Sequence, residues 1–130
     1  AFSEGWGLYA ESLGPELGMF TDPMQLFGHL DMEMLRAARL VVDTGLHAKR
    51  WSRARAIEYL SANTSMAARD VAVEVDRYIA VPGQACAYKV GELKIRELRR
   101  RSKARLGRAF DVRDFHRQVL ETGSLPLDVL

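Results

Sequence analysis

Between Asp22 and His47 the chain repeats its apolar residues at helical spacing. Leu26, Phe27, Leu30, Met34, Leu35, Ala38, Val41 and Val42 form a broad helical face, because residues three and four apart lie on one side of a helix. Ala37 and Leu40 widen that face, so this helix is expected to be central and touched on several sides. Asp22-Pro23 marks its start, with aspartate as N-cap and proline at the first helical position, where a missing N–H does no harm. At 1.5 Å per residue the helix spans roughly 35–40 Å. No stretch of the chain alternates apolar and polar residues as a half-buried strand does, so its neighbours are expected to be helices too.

The remaining segments read the same way. In Phe2–Glu11 the residues Phe2, Trp6 and Tyr9, followed by Leu13, share one face, while Glu4, Leu8 and Glu11 line a neighbouring one. Gly5 and Gly7 flank Trp6. Each weakens a helix by about 1 kcal/mol relative to alanine, and two so close together point to a backbone or ligand approaching there. Gly14-Pro15-Glu16-Leu17-Gly18 should end this helix. Ser52 caps a helix carrying Ala56, Ile57 and Leu60. Asn63-Thr64-Ser65 is a polar break and offers a cap for the next, which runs to about Ala80 with Val71, Val75 and Ile79 at spacing four. Pro82 is expected to start a long helix to Leu106, ended by Gly107. Asp111 caps a short helix through Glu121 with Phe115, Val119 and Leu120, and Pro126 favours an extended tail. The expectation is one all-α domain over residues 1–130, about six helices around a long central one.

Composition narrows the functional classes. With 48% apolar and 28% charged residues the chain is ordinary for a globular protein and long enough to bury a core. One cysteine, Cys86, excludes an internal disulfide and gives no zinc-finger spacing. No apolar run approaches the length of a membrane-spanning helix. Charge is uneven: Lys94–Arg108 holds eight basic residues against Glu97, a net +7 that leaves −5 on the rest for the total of +2. Such a run raises nucleic acid or another polyanion as a partner. However, Ile95, Leu98, Ser102 and Leu106 form a narrow seam within it, and no aromatic interleaves it to stack bases. A solvated helix end is the better reading, and nucleic acid is not the expected partner. A helical interaction module without chemistry is the alternative to an enzyme.

Phe2-Ser3-Glu4-Gly5-Trp6-Gly7-Leu8-Tyr9-Ala10-Glu11 closely resembles a signature of a bacterial family, the domain of unknown function 885. The resemblance runs on through Arg36–His47, Pro82–Tyr88 and the closing segment from Phe115-His116 to Pro126-Leu127. Members of that family look like all-helical zinc peptidases of the gluzincin type. An upstream helix with a His-Glu…Pro-Gly-His-His motif is read there as supplying histidine ligands and the general base. The resemblance implies that Glu4 is a further zinc ligand and that Glu11 orients a ligand histidine. This chain lacks the His-Glu…His-His helix, opens without methionine, and begins inside a helix with no capping residue before it. It is therefore expected to be the C-terminal part of a longer enzyme. Zinc and peptide substrate are expected of that parent, while this fragment alone should bind no zinc and be inactive.

Three histidines and one tyrosine complete the candidates. His29 is followed by no Glu-x-x-His pattern and reads as a surface or lightly buried histidine. His116, at a helix start, reads the same way. His47 ends the central helix beside Gly45, where a neighbour can approach closely. It is either a helix-terminal histidine favoured by the dipole or, as the resemblance implies, a catalytic donor. Tyr88 follows the Pro82-Gly83 turn by nearly two helical turns, either packed in the core or aimed at a tetrahedral oxyanion. Arg77 and Gln84 are candidates for binding substrate polar groups or its terminal carboxylate. Cys86 reads as a small buried residue. If the first helix lacks its upstream partner, its aromatic face is exposed and favours a homodimer of the fragment.

Overall fold

The computed structural model describes residues 1–130 as six α-helices: α1 Phe2–Glu11, α2 Pro23–Lys49, α3 Arg53–Asn63, α4 Ala68–Ala80, α5 Ala87–Leu106 and α6 Val112–Leu120. A 3-10 turn, Gly107–Ala109, precedes the last. The all-α expectation holds, and no helix is long and apolar enough to cross a membrane. Three boundaries follow from side-chain caps. Asp22 accepts from Met24 N at 2.6 Å, Ser52 from Arg55 N at 3.2 Å and Asp111 from Arg113 N at 2.7 Å. Each cap satisfies a donor that the helix itself leaves free and contributes about 1 kcal/mol.

Other boundaries differ from the sequence reading. Ser65 does not cap α4: Ala67 takes that position with no side-chain bond, and Ser65 instead donates to Asp31 across to α2. Pro82 does not open α5. Gly83 takes a positive φ of 79°, which interrupts helical geometry, so residues 82–86 make tight turns and α5 begins at Ala87. The tail is not extended to the end, because the N–H groups of Val129 and Leu130 both return to the Pro126 carbonyl.

The core has two parts. The second half of α2, through Leu35, Ala38 and Val42, packs on Ala56 and Leu60 of α3 and Val71, Val75 and Tyr78 of α4. In α4 the third inward residue is Tyr78, while Ile79 is exposed. A spacing of four drifts around a 3.6-residue turn, so after two steps the seventh residue faces inward better than the eighth. The first half of α2 is not enclosed, and Leu26, Phe27, Leu30 and Met34 are exposed. The second part of the core joins Phe2 and Tyr9 of α1 to Ile95 of α5 and Phe115 and Val119 of α6, with Trp6 and Leu13 packed against it. The aromatic face of α1 is thus buried, which removes the basis for expecting a dimer through it.

α1 and α5 form the most extensive helix pair. They touch through backbone: a Cβ at Gly91 would lie 2.6 Å from Gly5 Cα and closer still to the Ala1 carbonyl oxygen. A Cβ at Gly5 would collide with the Gly91 backbone and sit 2.8 Å from Glu92 N. Gly7 has nothing within 4 Å of the same added atom. The two glycines flanking Trp6 therefore differ in kind. Gly5→Ala should destabilise the protein by about 1–3 kcal/mol through overpacking. Gly7→Ala should stabilise it by about 1 kcal/mol through helix propensity. Paired urea denaturation curves check both signs.

Candidate functional site

Glu4 stands on the exposed side of α1, next to the glycine that meets α5. Its carboxylate has no hydrogen-bond or ion-pair partner within the chain. Gly91, on the other side of that contact, lies one turn beyond Tyr88 on the same face of α5, since residues three apart are helical neighbours. One backbone crossing therefore brings the helix bearing Glu4 to the start of the helix bearing Tyr88. Glu11 is exposed at the far end of α1 and lines a shallow cleft of about 490 Å³ with Phe20, His29 and Met32. His29 is packed on Phe20 at 5.3 Å between centroids and lies 3.8 Å from Glu33.

Tyr88 is half-buried under two arginines. The guanidinium carbons of Arg36 and Arg39 lie 5.7 and 5.6 Å from its ring centroid, within range of cation–π attraction. Its hydroxyl has no hydrogen-bond partner in the chain. Arg39 reaches on to α4, donating to Tyr78 Oη at 3.0 Å and to Glu74 Oε2 at 2.8 Å. Glu74 Oε2 also accepts from Arg77 at 2.8 Å and from the Tyr78 hydroxyl at 2.7 Å. Arg77 donates to Gln84 Oε1 at 2.6 Å. The two proposed substrate-binding residues are thus in direct contact, and Arg39 links them to Tyr88. Arg39 and Arg77 share one carboxylate, which leaves this cluster positively charged.

His47 lies at the edge of the same region. It is exposed overall, but its Nε2 is 2.9 Å from the Tyr78 carbonyl, a contact that a ring N–H donates. That bond assigns the proton on a neutral ring to Nε2 and leaves Nδ1 as the acceptor. Gly45, two residues before it, admits Trp51, whose Cε3 would lie 2.6 Å from a Cβ at that position. The close approach expected beside His47 is therefore made by an indole.

Other polar and ionisable groups surround these residues. Asp43 is buried, and both its oxygens lie 3.0 Å from Gly83 N. It holds the turn that carries Gln84 and leads into Tyr88. Burial raises the Cys86 thiol pKa, as do the Asp43 charge and hydrogen bond, so this cysteine is no ready nucleophile. Glu92 is buried beneath α1, with Arg96 Nε 2.6 Å from one oxygen and Lys89 Nζ 2.6 Å from the other, the latter off the hydrogen-bond direction. Lys89 also reaches Glu33 of α2 at 3.0 Å. His116 meets Tyr9 Oη at 2.8 Å inside the second core, where burial and then the Arg99 charge lower its pKa. It is a structural group.

Ion pairs neutralise part of the basic helix. Arg99 grips Glu16 with two bonds of 2.9 and 2.7 Å, Lys94 and Arg101 flank Glu97, and Arg96 binds Glu92. No three His, Cys, Asp or Glu side chains converge anywhere in the chain. The donors present therefore do not make up a zinc site by themselves, since such sites take three or four.

Burial opposes ionisation of Glu74, but hydrogen bonds from Arg77 and Tyr78 and the charges of Arg39 and Arg77 outweigh it. Its pKa is held at about 2, while burial and the bond to Glu74 push the Tyr78 phenol up to about 12. The stability that Glu74 contributes is thus complete above its ordinary pKa of 4.5 and is lost as pH falls through about 2. Glu74→Gln should cost about 2–3 kcal/mol at neutral pH by leaving two arginines without their anion. The gap between variant and parent in urea midpoints should shrink from pH 5 towards pH 2.

The protein is similar to a crystal structure of the "putative lipoprotein" from Colwellia psychrerythraea, at 53% identity and a TM-score of 0.96. That match covers 98% of this chain and 22% of the other, so the chain spans about a fifth of that protein's length. No curated protein matches the chain. The family description that does match, "Bacterial protein of unknown function (DUF885)", covers residues 1–130, and the chain belongs to that family.

Proposed function

We propose that this chain is the C-terminal part of a zinc-dependent peptidase and that it is inactive without the rest. The observation that carries the reading is Glu4: an unpartnered carboxylate beside a backbone crossing, where helix α1 packs directly on α5. A metal ligand needs such a fixed position and a free oxygen. The remaining donors are assigned to the His-Glu helix that the family resemblance implies, outside this chain. With one carboxylate here, no reaction step is derived through the metal.

The chain's own residues suit the other tasks of amide hydrolysis. Tyr88 presents a phenol O–H not committed elsewhere, so it is the better oxyanion donor. His47 already gives its N–H to the Tyr78 carbonyl and must release it to serve. The excess positive charge of Arg39 and Arg77 around Glu74, with Arg36 over the Tyr88 ring, suits the terminal carboxylate of a peptide, with Gln84 beside Arg77 as a neutral partner. Glu11 stands two turns from Glu4 and is assigned to a ligand histidine of the missing part.

The test uses the longer protein. Wild type is expected to hold stoichiometric zinc and hydrolyse peptides, and Glu4→Gln to lose both. Tyr88→Phe should keep the zinc and lower kcat by roughly 10²–10³. A longer protein that stays metal-free and inactive with zinc added, and is unchanged by Glu4→Gln, would sink the proposal.

A further inference from the structure

We infer that the uncovered stripe of α2, together with α5, is the seat of an α-helix supplied by another part of the same longer protein. Phe27, Leu30, Met34, Ala37 and Val41 succeed one another at steps of three, four, three and four residues. This repeat presents one straight seam about 20 Å long to a partner helix. Phe27 is 61% exposed, Leu30 and Met34 each 52%, and Leu93 of α5 51%. A surface helix normally turns such a seam inward, and an exposed run of this kind marks an interaction surface. Between α2 and α5 the seam deepens into a cleft of about 260 Å³ lined by Leu30, Met34 and Ala37 and closed by the Glu33–Lys89 ion pair. Apolar anchors at three- and four-residue steps beside a groove with a charged edge are what a helix binds.

The source of that helix follows from length. The Colwellia psychrerythraea protein keeps this backbone at a TM-score of 0.96 while the chain accounts for only 22% of it. In a protein built that way, far more chain lies outside these six helices than within them. A tethered helix meets the seam at an effective concentration on the order of millimolar. A second copy of the chain competes only by mass action, so the tethered helix wins at ordinary protein concentrations. The inference rests on reading the chain as part of a longer protein, but on none of its chemistry.

Thiol labelling tests it. Met34→Cys is made in a Cys86→Ser background, both in the 130-residue chain and in the longer protein, with Phe27→Cys as a second position. Both introduced thiols should label fast in the short chain. In the longer protein they should label more slowly by roughly tenfold or more, at a rate independent of protein concentration. Adding Glu4→Gln should leave these rates unchanged, which separates this result from the fate of the zinc site. Equal rates in both proteins would overturn the inference. So would protection that appears only as concentration rises, because the occupant would then be a second copy.

Discussion

The structure turns on a place with no side chains. At Gly5 and Gly91 two helices meet backbone to backbone, and neither position tolerates one further carbon. Helices normally keep 8–10 Å between axes because side chains fill the gap. Removing them lets α1 lie against α5, with Phe2 and Tyr9 buried and Glu92 enclosed below. The two glycines cost about 1 kcal/mol each in helix propensity. Burying each large apolar side chain contributes about 1.5–3 kcal/mol, which outweighs that loss.

Charge joins α2 to the elements around it. On one side Glu33 meets Lys89, which also serves Glu92; on the other Arg39 meets Glu74, which also serves Arg77. Each link is partly or wholly buried, so none is a loose surface pair. Such pairs contribute little net stability compared with apolar residues of the same size, yet breaking one is costly. Their effect is to fix geometry. α2, α4 and α5 are held so that Tyr88 lies under Arg36 and Arg39, with Gln84 on Arg77. A family of unknown function thus has, in this chain, a cationic cluster around a phenol with a free hydroxyl.

Much of the fold was legible in the sequence because local chemistry decides it. Asp22-Pro23, Ser52 and Asp111 cap the helices they were expected to cap, and the Gly5 contact follows from a glycine inside an aromatic face. The misreadings arise where distant residues decide. Pro82 resembles a helix start, but Gly83 adopts positive φ and donates to Asp43, forty positions away in the chain. The apolar face of α2 was expected to be covered, and periodicity does not reveal which half finds partners. For the candidate site, Arg77 and Gln84 were singled out one by one and their contact with each other comes from the fold, whereas Arg39, Asp43 and Glu74 were not singled out at all. These are charged residues on amphipathic helices, and only tertiary packing distinguishes them from solvated neighbours.

Zinc-edge anomalous diffraction from crystals of the proposed longer protein would show whether Glu4 binds the metal. One strong peak is expected about 2.0–2.2 Å from a carboxylate oxygen of Glu4, with the Gly5–Gly91 contact intact beneath it. A zinc peak bound elsewhere, with Glu4 still facing solvent, would contradict it and leave the α1–α5 crossing a purely structural feature.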